Sequence, residues 1–240
     1  MDPRYKSPGA VVRHFDDSSF RDLGNITAAV QWLLRVGVFL IVVTFVSSWM
    51  QLELLSHEYT REEGEANDLR ASAIGSAEFL LTIATLIVFG RWIVLAHRNL
   101  VPLGANFLEF RPGWAVGWFF VPIANLWKPY QAMKALWQNS HSVVKPDLQD
   151  NTWLLPTWWT LWLISSILGN FLMRLTLNAD TVEELVTTTQ LTLLNCIVDL
   201  PLYLFAASLV GRIWKAQEKQ RENPEEFQPA RGFADGGSQA

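Results

Sequence analysis

Four long apolar runs alternate with charged segments along the chain. Trp32–Leu52 is the first, with an uncharged core from Val36 to Met50. The second covers about Gly75 to Ala96, the third Leu154–Leu175 and the fourth Gln190–Gly211. At about 1.5 Å per helical residue, each is long enough to cross a hydrocarbon layer of about 30 Å. Trp32 and Trp49 then stand about 25 Å apart, a spacing that seats their rings at the two interfaces. Arg35 lies one turn into the first run, where its long stem lets the charge reach outward. The pattern predicts an all-α membrane protein with four transmembrane helices.

A fifth apolar stretch does not fit that scheme. Pro112–Ser140, PGWAVGWFFVPIANLWKPYQAMKALWQNS, holds four of the twelve Trp and three of the eleven Pro residues. Pro122 and Pro129 interrupt it. Fourteen helical residues, Trp114 to Trp127, reach only about 21 Å, short of a full crossing. From Pro129, which suits the first turn of a helix, Tyr130, Met133, Leu136 and Trp137 recur at helical spacing, with Lys128, Gln131, Lys134 and Gln138 on the other side. This predicts an amphipathic helix in the membrane interface.

Charge distribution decides how the stretch sits. The segments 1–31, 97–150 and 212–240 hold fourteen of the nineteen Lys and Arg residues, and the two remaining loops hold two. Cytoplasmic segments are the ones enriched in Lys and Arg, so both termini and the central connection are expected inside, with an even number of spans. A crossing at Trp114–Trp127 would put Lys128 and Lys134 outside. The stretch is therefore expected to be re-entrant or interfacial, with the backbone freed at Pro122 buried in protein.

Composition agrees: half the residues are hydrophobic and 18% are charged, against roughly 25% in soluble domains. A net charge of −4 gives no nucleic-acid surface. A single cysteine, Cys196, can form neither an internal disulfide nor a Cys-rich zinc site. The first apolar run starts too late and runs too long for a signal peptide. Residues 1–31 read as a polar cytoplasmic tail, with Asp16 to Asp22 placed to open a short surface helix, and 215–240 as a disordered cytoplasmic tail. Residues 32–214 form the membrane domain between them. Residues 53–72 read as a charged loop with six acidic and two basic residues.

The central phrase PGWAVGWFFVPIANLWKPYQAMKALW resembles the signature of a bacterial integral membrane family, domain of unknown function 4328. Arg98-Asn99-Leu100, Leu103-Gly104-Ala105, the Trp158-Trp159 pair and Arg212-Ile213 are also similar to that family's pattern, so the resemblance covers roughly residues 30–220. It implies a domain embedded in the bacterial plasma membrane. It transfers no catalytic residue, metal ligand or cofactor, and none is expected here.

Candidate chemistry is sparse. Asp199 lies about nine residues from each end of the fourth run, with Asn195 one turn away and Pro201 expected to bend the helix nearby. An acid at mid-bilayer costs at least about 2.5–3.5 kcal/mol on insertion scales, so it faces protein, a cavity or a partner. It reads either as a proton or ion site or as an interhelical hydrogen-bond clamp. Arg91, about 6 Å from the centre of its own run, is the candidate partner. Glu78 and Asn170 are the other intramembrane polar residues. His14, His57, His97 and His141 form no metal-ligand motif. A second candidate site is interfacial: Trp114, Trp118, Asn125, Trp127 and Tyr130, rimmed by Arg98, Arg111, Lys128 and Lys134, suit anionic lipid headgroups or simple anchoring. Gly113 and Gly117 have GxxxG spacing, a packing signal. The leading functional reading is a non-enzymatic domain acting through membrane lipids, a membrane-protein partner or a second copy of itself. The alternatives are a small transporter or channel with Asp199 lining the path, and a lipid-modifying enzyme.

Overall fold

The computed structural model describes residues 19–104, 110–141, 153–178 and 181–223, so most of both expected polar tails lies outside the described residues. All regular structure in the described residues is helical. The first two runs lie in α1 (Gly24–Leu55) and α2 (Arg61–Asn99). The central stretch gives a short α3 (Pro112–Gly117), two single 3-10 turns and α4 (Lys128–His141). The last two runs lie in α5 (Leu154–Thr176) and α6 (Val182–Glu222).

Three of these helices, α1, α2 and α6, are long and apolar enough to cross a membrane. α5 has 23 residues but is not among them. Its aliphatic residues are diluted by Trp158, Trp159, Trp162, Ser165, Ser166 and Asn170.

The helices are longer, and the loops shorter, than the apolar runs suggest. α2, with 39 residues, and α6, with 41, extend about 60 Å, twice the hydrocarbon thickness. The charged loop expected over 53–72 is mostly helix. Thr60 opens α2 through a capping box: its hydroxyl accepts from the Glu63 N–H, and the Glu63 carboxylate accepts from the Thr60 N–H. That backbone hydrogen bond holds the Glu63 carboxyl below its usual range. Thr181 and Glu184 start α6 the same way. The surface helix expected from Asp16 to Asp22 is not continued in its described part. Residues 20–23 are irregular, and Asp22 accepts from the Gly24 N–H at 2.7 Å where α1 begins. α6 continues through Pro201. Leu202 and Ala206, buried next to Tyr203 and one turn beyond it, hold the helix to its neighbours there.

α6 is the hub. It packs against α1, α5 and α4, and α1 packs against α2. The long helices thus form an arc α2–α1–α6–α5, with no comparable contact between α2 and α5. α1 presents a stripe of buried residues at helical spacing, Thr27, Val30, Leu34 and Gly37. α3 packs on α2 and, with the turn after it, fills one end of the gap between the arc's two tips.

That end of the bundle is held by a buried polar network. The Asn99 side chain donates to the Arg21 carbonyl at 2.8 Å and accepts from the Arg21 N–H at 3.0 Å. The Gln217 amide donates to the Ala96 carbonyl at 3.0 Å and to Ser140 Oγ at 2.9 Å. Trp92 Nε1 donates to Thr27 Oγ1 at 2.9 Å, joining α2 to α1. These bonds correct the expected setting of α4. Its buried face, Pro129, Ala132, Met133, Leu136, Trp137 and Ser140, is turned onto the protein rather than onto lipid. A helix turned away from the bundle would lose the buried bond between Ser140 and Gln217.

Candidate functional site

The aromatic stretch is a folded-back plug. Pro112 occupies the first turn of α3, as proline can without losing a helix bond. The 3-10 turn Trp118–Phe120 follows, and the chain then reverses at Pro122. Ile123 has φ 67° and ψ −54°, and the Ala124 N–H donates to the Pro122 carbonyl at 2.7 Å. This is a γ-turn of the strained hand. Its apex, Ile123, is exposed. The turn Ala124–Leu126 leads into α4.

The plug docks on the tryptophans of α5. Trp159 and Trp162 stack with centroids 4.6 Å apart. Phe119 meets both edge-on, at 6.3 and 5.7 Å. Tyr130 lies 6.2 Å from Trp159, and Trp159 Nε1 donates to the Leu126 carbonyl at 3.2 Å. The stacked Trp159-Trp162 pair is therefore the receptor for the plug.

Of the expected interfacial residues, Tyr130 faces inward onto Trp159, and Trp118 packs against Trp114 with centroids 5.0 Å apart. Asn125 is half-buried in the last turn of the plug. Trp114 and Trp127 are exposed, as are Arg98, Arg111 and Lys134. Lys128 is half-buried, with Nζ 5.8 Å from the centre of the Phe110 ring.

Two cavities lie in the cleft between the arms of the arc. The larger, about 410 Å³, is bounded by α2, the plug, α5 and α6. Phe89, Phe119, Phe120, Trp158 and Trp162 line it, and Thr85, Ser165, Ser166 and Asp199 give it polar points. The smaller, about 270 Å³, lies towards the capping-box ends of α2 and α6 and is lined by Thr44, Glu78, Thr192, Asn195 and Cys196 among others. Asp199, Tyr203 and Thr82 line both. Asp199 thus stands in the partition between an aromatic chamber and a polar one.

The contacts of Asp199 match the clamp reading and correct its partner. Ser165 of α5 donates to one carboxylate oxygen at 2.5 Å, and Asn195 donates to the other at 2.6 Å. Arg91 is exposed and makes neither a hydrogen bond nor an ion pair with Asp199. The group that shares a chamber with Asp199 is Glu78, which accepts from the Thr44 hydroxyl of α1. The signal was present in the sequence: Glu78, Thr82 and Thr85 recur at helical spacing on one helix, and Thr192, Asn195 and Asp199 on another.

His97 and His141 are engaged elsewhere. His97 is buried with its ring nitrogens 2.9 Å from the Ile93 carbonyl and 3.3 Å from that of Ala132. Burial pushes its pKa down, against the opposing effect of those carbonyls. Burial also lowers that of His141, with Arg212 adding to the effect. Among the described residues no group of three or more His, Cys, Asp or Glu is placed to hold a metal ion.

Residues 57–215 match the family model described as Domain of unknown function (DUF4328), and the chain belongs to that family. The match begins after α1, later than the resemblance from about residue 30 suggests, and takes in the plug, Glu78 and Asp199. No curated protein and no solved structure matches the chain.

Proposed function

We propose, with membership of the DUF4328 family as the premise, a multi-pass protein of the bacterial plasma membrane that holds a membrane-dissolved amphipathic ligand in its aromatic cavity. On this reading the protein is not an enzyme. α5 is the fourth crossing, both termini and the central connection are cytoplasmic, and the plug enters the bilayer from that side without crossing. Lys and Arg concentrated at the plug end support the orientation. Exposed Arg98, Arg111 and Lys134 beside exposed Trp114 and Trp127 suit contact with anionic headgroups of the surrounding lipid.

The observation that carries the reading is the 410 Å³ cavity: aromatic walls, a few convergent polar groups, and a position between α2 and α5, which have no comparable direct contact. Sites for small molecules fall in the range of about 300–1,000 Å³ with that kind of lining. Exposed Leu86 and Phe120 border it, so a ligand has an apolar approach. Native mass spectrometry of the protein in nanodiscs should find a co-purified small amphiphile, and Ser166→Trp, which fills the cavity, should remove it. Equal occupancy in both proteins, or none in the wild type, would sink the reading.

A transporter is the second reading, favoured because Thr82, Asp199 and Tyr203 line both chambers. Ligand flux into proteoliposomes that disappears with Asp199→Asn would select it over simple binding.

The orientation has its own test. With Cys196, buried in the structure, replaced by Ala, cysteines at Glu63 and Glu183 should react with an impermeant thiol reagent from outside the cell. Cysteines at exposed Lys134 and Glu222 should not. Outside labelling at Lys134 would mean that the plug spans the bilayer.

A further inference from the structure

The two cavities have a one-sided chemistry. Neither is lined by a Lys, Arg or His residue, yet they hold two carboxylates, Asp199 and Glu78. The hydrogen-bond partners of both carboxylates are uncharged: Ser165 and Asn195 for Asp199, Thr44 for Glu78. Beside them are buried oxygens with no partner, Asn195 Oδ1 in the smaller chamber and Thr85 Oγ1 in the larger. Asn195 Oδ1 can only accept. The chambers therefore carry an excess of acceptors and two acids in an apolar setting, where an ionised acid is stable only when paired.

The larger chamber adds the other half of the pattern. Six aromatic side chains line the space that ends at Asp199. Ring faces attract cations, most strongly where water is excluded. An anionic headgroup drawn into this chamber would meet a carboxylate and no counter-charge. A cation on an apolar body meets rings along its length and Asp199 at its head. Geometry and charge select the same class.

We propose that the aromatic cavity is a site for a lipophilic cation, an ammonium- or phosphonium-like centre on an apolar body, with its charge at Asp199 and Glu78 as a second counter-charge in the adjoining chamber. This rests on the ligand-holding reading given above and names the ligand's charge. It also separates two roles along the molecule: the exposed basic residues face bulk lipid headgroups, and the interior takes the opposite charge.

Two probes of similar size and shape and opposite sign test it: tetraphenylphosphonium and tetraphenylborate, with uncharged triphenylphosphine oxide as the third. Binding to the full chain in phosphatidylcholine nanodiscs is read by equilibrium dialysis against empty nanodiscs, and by the fluorescence of the cavity tryptophans. Tetraphenylphosphonium should bind at least about tenfold more tightly than tetraphenylborate, as 1.4 kcal/mol or more of charge preference requires. Asp199→Asn should cut cation binding by about tenfold and leave the neutral probe unchanged, and Glu78→Gln should cut it less. Ser166→Lys places a cation in the chamber wall and should recruit tetraphenylborate while expelling tetraphenylphosphonium, a gain that misfolding does not produce. Equal binding of the two ions, or cation binding indifferent to both Asp199→Asn and Ser166→Lys, overturns the proposal. If the neutral probe binds and is excluded by Ser166→Trp while the ions show no preference, the cavity reading stands and the cation does not. If Ser166→Trp displaces no probe, both fall.

Discussion

Gly37→Ala should destabilise the protein despite adding the best helix former. In an exposed helix the exchange gains up to about 1 kcal/mol. Here Gly37 is buried on the face of α1 that meets α6. A Cβ at this position would stand 2.2 Å from Tyr203 Cε1 and 2.6 Å from Cδ1. Those are the middle of a ring, not the tip of a flexible chain, so either the helices separate or the ring turns into the cavities it lines. Overpacking of this kind costs typically about 1–3 kcal/mol. In a chain of this size that lowers the apparent Tm by about 2–12 °C. Thermal unfolding in detergent, followed by retention of a monodisperse peak, measures it. Tyr203→Leu should recover part of the loss in the double variant, because the two sites are in contact. An alanine variant as stable as the parent would mean that α1 and α6 do not approach as closely as described. The requirement fits membrane packing in general, where small residues let helix backbones come together.

This contact shows what the chain discloses of its fold and what it withholds. The apolar runs locate the long helices because burial in lipid needs only length and composition. They understate where the helices end. The polar turns beyond them are stabilised locally, by the Thr60–Glu63 and Thr181–Glu184 capping boxes and by acids in the first turn. That signal was legible, since Thr-x-x-Glu stands in the sequence at both places. For α4 the apolar face was readable from Met133, Leu136 and Trp137, but not what it faces. Lipid and protein select the same pattern, and only the bonds of Ser140 and Gln217 distinguish them. The plug was readable as an aromatic segment interrupted at Pro122. Its receptor on α5 was not, because Trp159 and Trp162 look the same at an interface as under a plug.

The candidate site was half legible for a geometric reason. Counting residues along separate helices gives depth but not direction around each axis. Asp199 was therefore found, and Arg91 was assigned to it at a compatible depth on a helix that points Arg91 outward. Glu78, a similar candidate by composition, points inward to the chamber that Asp199 also lines. The correction changes the chemistry from an ion pair, which would neutralise the site, to two acids without a protein counter-charge.

Substitution at Asp199 should then separate two roles that the structure superimposes. Asp199→Asn is expected to cost little stability. Its oxygen still accepts one of the two bonds now given by Ser165 and Asn195. The Asn195 amide can turn to offer its unpartnered Oδ1 to the new NH₂ group. One interhelical hydrogen bond within a membrane averages about 0.6 kcal/mol and reaches about 1.7, which sets the scale of the loss. Asp199→Lys is different. On insertion scales Lys and Asp are similarly expensive, so charge alone does not decide the outcome. What decides it is that an ammonium on a longer stem only donates, so Ser165 and Asn195 would both have to turn from donor to acceptor to meet it. The Ser165 bond, the one that joins α5 to α6, is lost in its present form, at about 0.6–1.7 kcal/mol. Glu78 across the chamber is the one acidic group placed to offset this, so adding Glu78→Gln should make Asp199→Lys worse than the two separate effects combined. Yield of monodisperse protein and apparent Tm for Asn, Lys and the double variant read this directly. Equal, severe loss in Asn and Lys would show that the negative charge itself holds the fold together. No loss in either would remove the clamp, and with it the reason to place Asp199 at the junction of the two chambers.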